Sequence, residues 1–233
     1  MQFIEKNSFS VRSAVYSLKQ DGSALEFLIF PMIHVGSREF FDEISKRLSA
    51  CDLILAEGVK SKRANILTLS YRIVKRIRRM DLITQEEGMR VDGLRAKILN
   101  SDLEEQAFEE RWSSLPVLMR AQLFIIVPLY VMYLFFFGTR ETIAENLALE
   151  DLPSSEEILS WDDRFAQLDS LVVDERDKKL LEHIAKLNID PGDSLQTVGI
   201  VWGAFHMRRV MAFLMQKLNY RVAKAEWVNV FDL

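Results

Sequence analysis

Three titratable side chains in this 233-residue chain each stand just beyond a short apolar run. His34 follows Leu25 and Phe27-Leu28-Ile29-Phe30, Glu57 follows Leu53-Ile54-Leu55-Ala56, and His206 follows Val198-Gly199-Ile200-Val201-Trp202. Runs of that length and character read as strands buried on both faces. The carboxyl edge of such strands is where open parallel sheets place their reaction sites. Two imidazoles and a carboxylate match the ligand set of a catalytic zinc-type centre, which keeps one position for water. Manganese or another borderline metal suits the same donors. Without a metal, the same groups supply a general base and a charge partner. Hydrolysis is the chemistry common to both versions.

Each residue also has a bland reading. A lone histidine is more often structural than catalytic, although two in the same local context weaken that view. Glu57 is harder to dismiss, because a carboxylate ending an apolar strand needs a cation, a metal or hydrogen bonds to stay charged. Arg176, flanked by Glu175 and Asp177, reads on its own as a surface cation of a helix. His183 reads as a surface or boundary residue within that helix, and Trp202 and Trp227 read as core or sheet-face aromatics with no site role.

The elements that must position these groups follow from periodicity. Asp21-Gly22 suits a hairpin turn between Val11–Leu18 and Leu25–Phe30, which predicts an edge hairpin at the amino terminus. Ser37 caps a predicted helix whose Phe40, Phe41, Ile44 and Leu48 share a face. That helix makes the strands before and after it parallel neighbours, with His34 and Glu57 side by side. A later helix begins at Asp174 and buries Leu180, Leu181, Ile184 and Leu187. Asp190-Pro191-Gly192-Asp193 is turn chemistry, Met207–Leu218 a helix, and Val222–Phe231 a last strand.

Composition bounds the rest. A net charge of -4 gives no global attraction to nucleic acid, so a nucleic-acid partner is not expected. Cys51 is the sole cysteine, which rules out an intrachain disulfide and points to a reducing, cytoplasmic setting. Met1–Ser10 lacks the pattern of a signal peptide.

Two stretches suggest a membrane surface. Lys60–Met80 carries Lys60, Lys62, Arg63, Arg72, Lys75, Arg76, Arg78 and Arg79, with no acid between Glu57 and Asp81. It reads equally as a solvated helix face or as a contact for an anionic partner. Ala121–Gly138 is almost wholly apolar and approaches the roughly 20 residues that cross a bilayer, with Arg120 and Arg140 as flanks. A single crossing would put His34 and Glu57 on one side and Arg176 and His206 on the other, so a span and a composite site exclude each other. The segment is therefore expected to form two short helices broken at Pro128, buried in a homodimer or inserted shallowly in a peripheral or monotopic manner.

The motifs in their order resemble the TraB/PrgY/GumN family, which includes the Tiki metalloproteases and is related to the erythromycin esterase and ChaN-like fold. Leu55-Ala56-Glu57-Gly58, Glu175-Arg176-Asp177, Gly203-Ala204-Phe205-His206 and the ending from Asn219-Tyr220-Arg221-Val222 to Trp227 carry the likeness, over residues 25 to 58 and 174 to 231. Pro31 departs from it, standing where the early Gly-x-x-His motif has glycine. The resemblance implies a metal-dependent peptidase-like hydrolase with manganese, zinc or cobalt on His34, Glu57 and His206. It gives Arg176 the task of orienting Glu57 or stabilising oxyanion charge. It also admits a second class, a non-catalytic membrane-associated regulatory or binding protein in which Pro31 marks a degenerate site.

The expected architecture is one α/β domain over residues 1–233. It has a partly parallel central sheet with flanking helices, an N-terminal hairpin and a large helical insertion from about residue 60 to 170. The substrate class stays open between peptides and small molecules.

Overall fold

In a computed structural model, which describes residues 1–58, 80–90, 93–102, 105–151, 175–191 and 195–233, the apolar runs form one mixed sheet of seven strands. The strands are β1 (Ile4–Lys6), β2 (Ser10–Lys19), β3 (Glu26–Met32), β5 (Leu53–Ala56), β7 (Lys97–Asn100), β8 (Thr197–Gly203) and β9 (Arg221–Asp232). β4 (Val35–Gly36) and β6 (Ile83–Thr84) pair separately as a small antiparallel ribbon. The chain is thus α/β with a partly parallel sheet, as the strand and helix periodicities predict.

Four strands, in the order β3-β8-β5-β7, run parallel. The neighbour relation expected between β3 and β5 is corrected here, because β8 lies between them and pairs with both. The crossover through α1 (Arg38–Leu48) skips one position, and the carboxyl-terminal part of the chain fills it. His34 and Glu57 therefore flank β8 instead of sitting on adjacent strands.

The amino-terminal hairpin forms as its turn chemistry dictates: Ser23 N–H donates to the Gln20 carbonyl, and Gly22 takes a φ of +81° that few other residues tolerate. It is not an edge hairpin. β9 runs antiparallel along one side of β2 from Ser10 to Lys19. On the other side β2 pairs with β1 through Val11–Ser13 and with β3 through Tyr16–Lys19. Pro31 lies beyond the last β2–β3 partner pair, where its missing N–H leaves no gap in that ladder. Its carbonyl accepts a hydrogen bond from the buried Ser13 hydroxyl at 2.7 Å.

Helices cover both faces of β3, β8 and β5, which is why those three parallel strands are continuous apolar runs. On one face α1 sets Phe40, Phe41, Ile44 and Leu48 against Phe30, Ile54 and Val201. The Ser37 hydroxyl caps this helix by accepting from Phe40 N–H at 3.1 Å. On the other face lie α6 (Glu175–Ile189), with Leu180 and Ile184 buried, and α7 (Met207–Ala212), which continues as a π-helical turn to Lys217. Burying each such large apolar side chain contributes roughly 1.5–3 kcal/mol. Gly199, in the central strand, has no room for a side chain: an added Cβ would lie 2.9 Å from Cys51 Sγ and 3.1 Å from Leu48 Cδ2.

Between β5 and α6 the chain holds α2 (Gln85–Gly88), α3 (Glu105–Ser114), α4 (Val117–Phe137) and α5 (Arg140–Asp151). This stretch is not purely helical, since it also returns β7 to the central sheet. The basic run from Lys60 to Arg79, and the Pro153-Ser154-Ser155 and Trp161-Asp162-Asp163 segments, lie outside the described residues. The apolar segment is one continuous helix with Pro128 inside it, not two helices broken there. The missing proline donor falls inside a helix whose remaining hydrogen bonds carry it through.

Candidate functional site

Each of the four parallel strands ends, within three residues of its carboxyl terminus, beside a polar side chain of one cluster. His34 follows β3, His206 follows β8, Glu57 follows β5 and Asp102 follows β7. The first turn of α6 adds Arg176 and Asp177 from one face. A short 3-10 turn, Ala204–His206, carries the chain from β8 into α7 and leaves His206 buried.

Glu57 is the hub. One carboxylate oxygen, Oε1, accepts a short hydrogen bond from Arg176 Nη2, and the other, Oε2, accepts from Gly203 N–H at 2.6 Å. Gly203 permits this approach because it has no Cβ; one placed there would sit 3.2 Å from Glu57 Oε2. Burial on its own would raise the Glu57 carboxyl. The Arg176 guanidinium, the imidazoles of His34 and His206 and the Gly203 N–H outweigh it and hold the group down to about 2. Glu57 is therefore ionised at neutral pH.

Arg176 answers two carboxylates. Its Nε donates to Asp102 Oδ1 at 2.8 Å and its Nη2 to Asp102 Oδ2 at 2.6 Å, a forked pair beside the Glu57 contact. Burial would lower the Arg176 pKa, but the bonds and charges of Asp102 and Glu57 more than offset this and raise it. Asp102, itself buried, also accepts from Gly58 N–H at 3.0 Å, and its own N–H donates to Asn100 Oδ1 at 2.9 Å. The guanidinium lies over the Trp202 ring, 5.5 Å from its centre.

His206 is held by a different acid. Its Nδ1 is 2.5 Å from Asp177 Oδ1, and its Nε2 is 3.9 Å from Glu57 Oε1. Asp177 is buried and also accepts from Arg209 Nη1 at 3.3 Å. The Trp202 ring meets the imidazole edge-on at 5.2 Å. His34 is half-buried at the margin, within electrostatic influence of Glu57, and its carbonyl accepts from Gln85 N–H at 2.9 Å.

Glu57, Arg176 and His206 thus come together as the sequence reading expects, with His34 near enough to act on Glu57. Trp202, expected to have no site role, packs against both Arg176 and His206, because its place one residue before Gly203 puts it under the cluster. Asp102 and Asp177 are functional candidates that sequence reasoning missed. The signal at Asp102 is faint, since only the apolar pair Ile98-Leu99 precedes Asn100-Ser101-Asp102. Pro31 pairs in register with Trp202, and it is Met32 that pairs with Gly203. Pro31 and Gly203, each three residues before a histidine, therefore do not occupy equivalent places in the sheet.

The arrangement does not fit a resident metal on His34, Glu57 and His206. Both Glu57 oxygens already accept from protein donors, and among the described residues no three His, Cys, Asp or Glu side chains are grouped to hold a metal ion. The cation facing Glu57 is the guanidinium of Arg176. No family model, curated protein or solved structure matches the chain, so the site's own geometry is the ground for any functional conclusion.

Proposed function

We propose that this protein is a hydrolase acting on a peptide or small-molecule substrate at the carboxyl edge of its parallel sheet. The observation that carries the reading is the pairing of a buried Asp177–His206 dyad with an ionised Glu57 fixed by Arg176. With Nδ1–H donated to Asp177, the neutral imidazole keeps its Nε2 lone pair on the Glu57 side. That nitrogen takes the proton of an attacking water as the water oxygen bonds to the electrophilic carbon, and it then returns the proton to the leaving group. Asp177 fixes the tautomer, and the Glu57 charge stabilises the imidazolium formed in between. Arg176 orients Glu57, and Asp102 orients Arg176. His34, at the margin, is placed to meet the substrate. The likeness to TraB/Tiki-type proteins agrees with hydrolysis, but the proposed steps use only side chains of this chain.

A second reading is favoured by the exposed apolar helix α4: a membrane-associated regulatory or binding protein that keeps the charge cluster as structure. One experiment separates the two. Purified wild type, Glu57→Ala and His206→Ala are compared on a panel of peptide and ester substrates, with metal content measured by mass spectrometry and fold checked by circular dichroism. Hydrolysis by the wild type that is lost in both folded variants, without stoichiometric metal, is the expected result. Wild-type inactivity across the panel favours the second reading. Stoichiometric metal lost in both variants would overturn the metal-free mechanism.

A further inference from the structure

Among the described residues, helix α4 is the largest feature that the polar centre does not use. Val117, Leu118, Ile125, Ile126, Leu129, Met132 and Phe137 are all more than half exposed. At about 100° per residue these positions sweep an arc of roughly 200°, about twice the stripe that an ordinary amphipathic helix turns to its neighbours. One partner helix from a second copy would cover only part of such an arc, whereas hydrocarbon covers all of it. The two buried residues of α4, Met119 in its first turn and Leu134 in its last, rest on the remainder of the chain.

The ends of the helix decide its orientation. At 21 residues α4 is about 31 Å long, enough to cross a hydrocarbon core of about 30 Å. Its carboxyl end is fixed to the α/β domain: Arg140 donates from Nε to the Met80 carbonyl at 2.6 Å and from Nη1 to the Asp232 carbonyl at 2.9 Å. Ile143 and Ala144 of α5 then enter the main core. Upstream, Asp102 is buried in the polar centre, and the fourteen residues 103–116 between it and α4 include Glu104, Glu105, Glu109, Glu110 and Arg111. If α4 crossed a bilayer, this charged stretch would have to cross back. Five ionisable groups in hydrocarbon oppose that. The Trp112 ring, 6.3 Å edge-on from Phe124, instead folds α3 back beside α4.

We propose that α4 lies along a lipid bilayer surface with its exposed arc sunk in the hydrocarbon, the whole protein remaining on one side of the membrane. The α/β domain replaces the polar face that an interfacial helix normally carries. The inference is independent of the hydrolase reading, since a catalytically dead centre would leave α4 unchanged.

The test is flotation of the full chain with phosphatidylcholine vesicles, with and without phosphatidylserine. The wild type is expected to float with both vesicles, and Ile126→Glu/Leu129→Glu to lose at least about tenfold in partitioning while keeping its circular dichroism spectrum. On vesicle-bound protein, Ser114→Cys and Phe9→Cys are expected to react equally with an impermeant maleimide added outside. The native Cys51 is buried and its thiol is pushed up to about 12, so it gives little background. Three results would overturn the proposal: no flotation with either vesicle, a wild-type dimer in solution that the double glutamate variant dissociates, or labelling of Ser114→Cys only after detergent.

Discussion

Glu57→Gln isolates the charge of the hub from its shape. The glutamine keeps an oxygen for the Gly203 N–H and Arg176 keeps its fork to Asp102, while the amide NH2 takes the place of the oxygen that accepted from Arg176 Nη2, so the variant removes the charge and that one acceptor. In the folded protein the carboxyl falls from an ordinary 4.5 to about 2, its burial outweighed by Arg176, the two imidazoles and the backbone donor. At about 1.36 kcal/mol per pH unit, that interval is worth about 3 kcal/mol of stability. Because the folded-state value is depressed, the contribution is fully present above pH 4.5 and is lost as pH falls through about 2. The wild type should therefore exceed Glu57→Gln by about 3 kcal/mol at pH 7 and by roughly half as much at pH 3. Urea unfolding followed by tryptophan fluorescence at pH 7, 5 and 3 measures the difference, since Trp202 is buried against the cluster. Carboxylates away from the cluster are untouched by the substitution and cancel. A gap of the same size at all three pH values would show that the Glu57 charge is not what the network stabilises.

Two further substitutions probe the acids that support the hub. Asp177→Asn replaces the carboxylate 2.5 Å from His206 Nδ1 with an amide, and should lower hydrolysis by about 10²–10⁴-fold. Nitrogen NMR of the imidazole checks the cause: hydrolysis lost while the Nδ1–H tautomer of His206 is retained would refute tautomer fixing as the role of Asp177. Asp102→Ala removes a buried carboxylate that receives both Arg176 and Gly58, and should cost about 3 kcal/mol by urea unfolding, the low end of the range because Glu57 still faces the guanidinium. An unchanged midpoint would mean that Arg176 is held elsewhere.

What could be read from the chain, and what could not, divides along physical lines. Leu53–Ala56 and Val198–Trp202 announce themselves as doubly covered strands, so the titratable residues just beyond them stand out against apolar context. The helix from Arg38 to Leu48 is equally legible, through its Ser37 cap and the spacing of Phe40, Phe41, Ile44 and Leu48. Strand order is a different kind of information. No local pattern says that β8, about 140 residues downstream of β5, slots between β3 and β5, because that choice belongs to the packing of the assembled sheet. Asp102 escaped because Lys97–Asn100 is short and largely exposed, without the continuous apolar run that marks its three parallel partners.

Asp177 escaped for a subtler reason, and its position explains how the cluster works. In Glu175-Arg176-Asp177, alternating charges suit a solvated first turn, and nothing local says otherwise. Yet adjacent helix residues diverge by about 100°, so one docked turn can send two side chains to two different partners. Arg176 reaches Glu57 and Asp102 just beyond β5 and β7, while Asp177 reaches His206 beyond β8. The turn joins a carboxylate–guanidinium pair to a carboxylate–imidazole pair, with His206 Nε2 left 3.9 Å from Glu57 Oε1 where the two meet. A surface turn has no need of that division: exposed pairs contribute little, and burying three carboxylates costs far more unless each has its own donor. Glu57, Asp102 and Asp177 do each have one, so the charges of this helix start are spent on positioning His206 and Glu57 relative to each other.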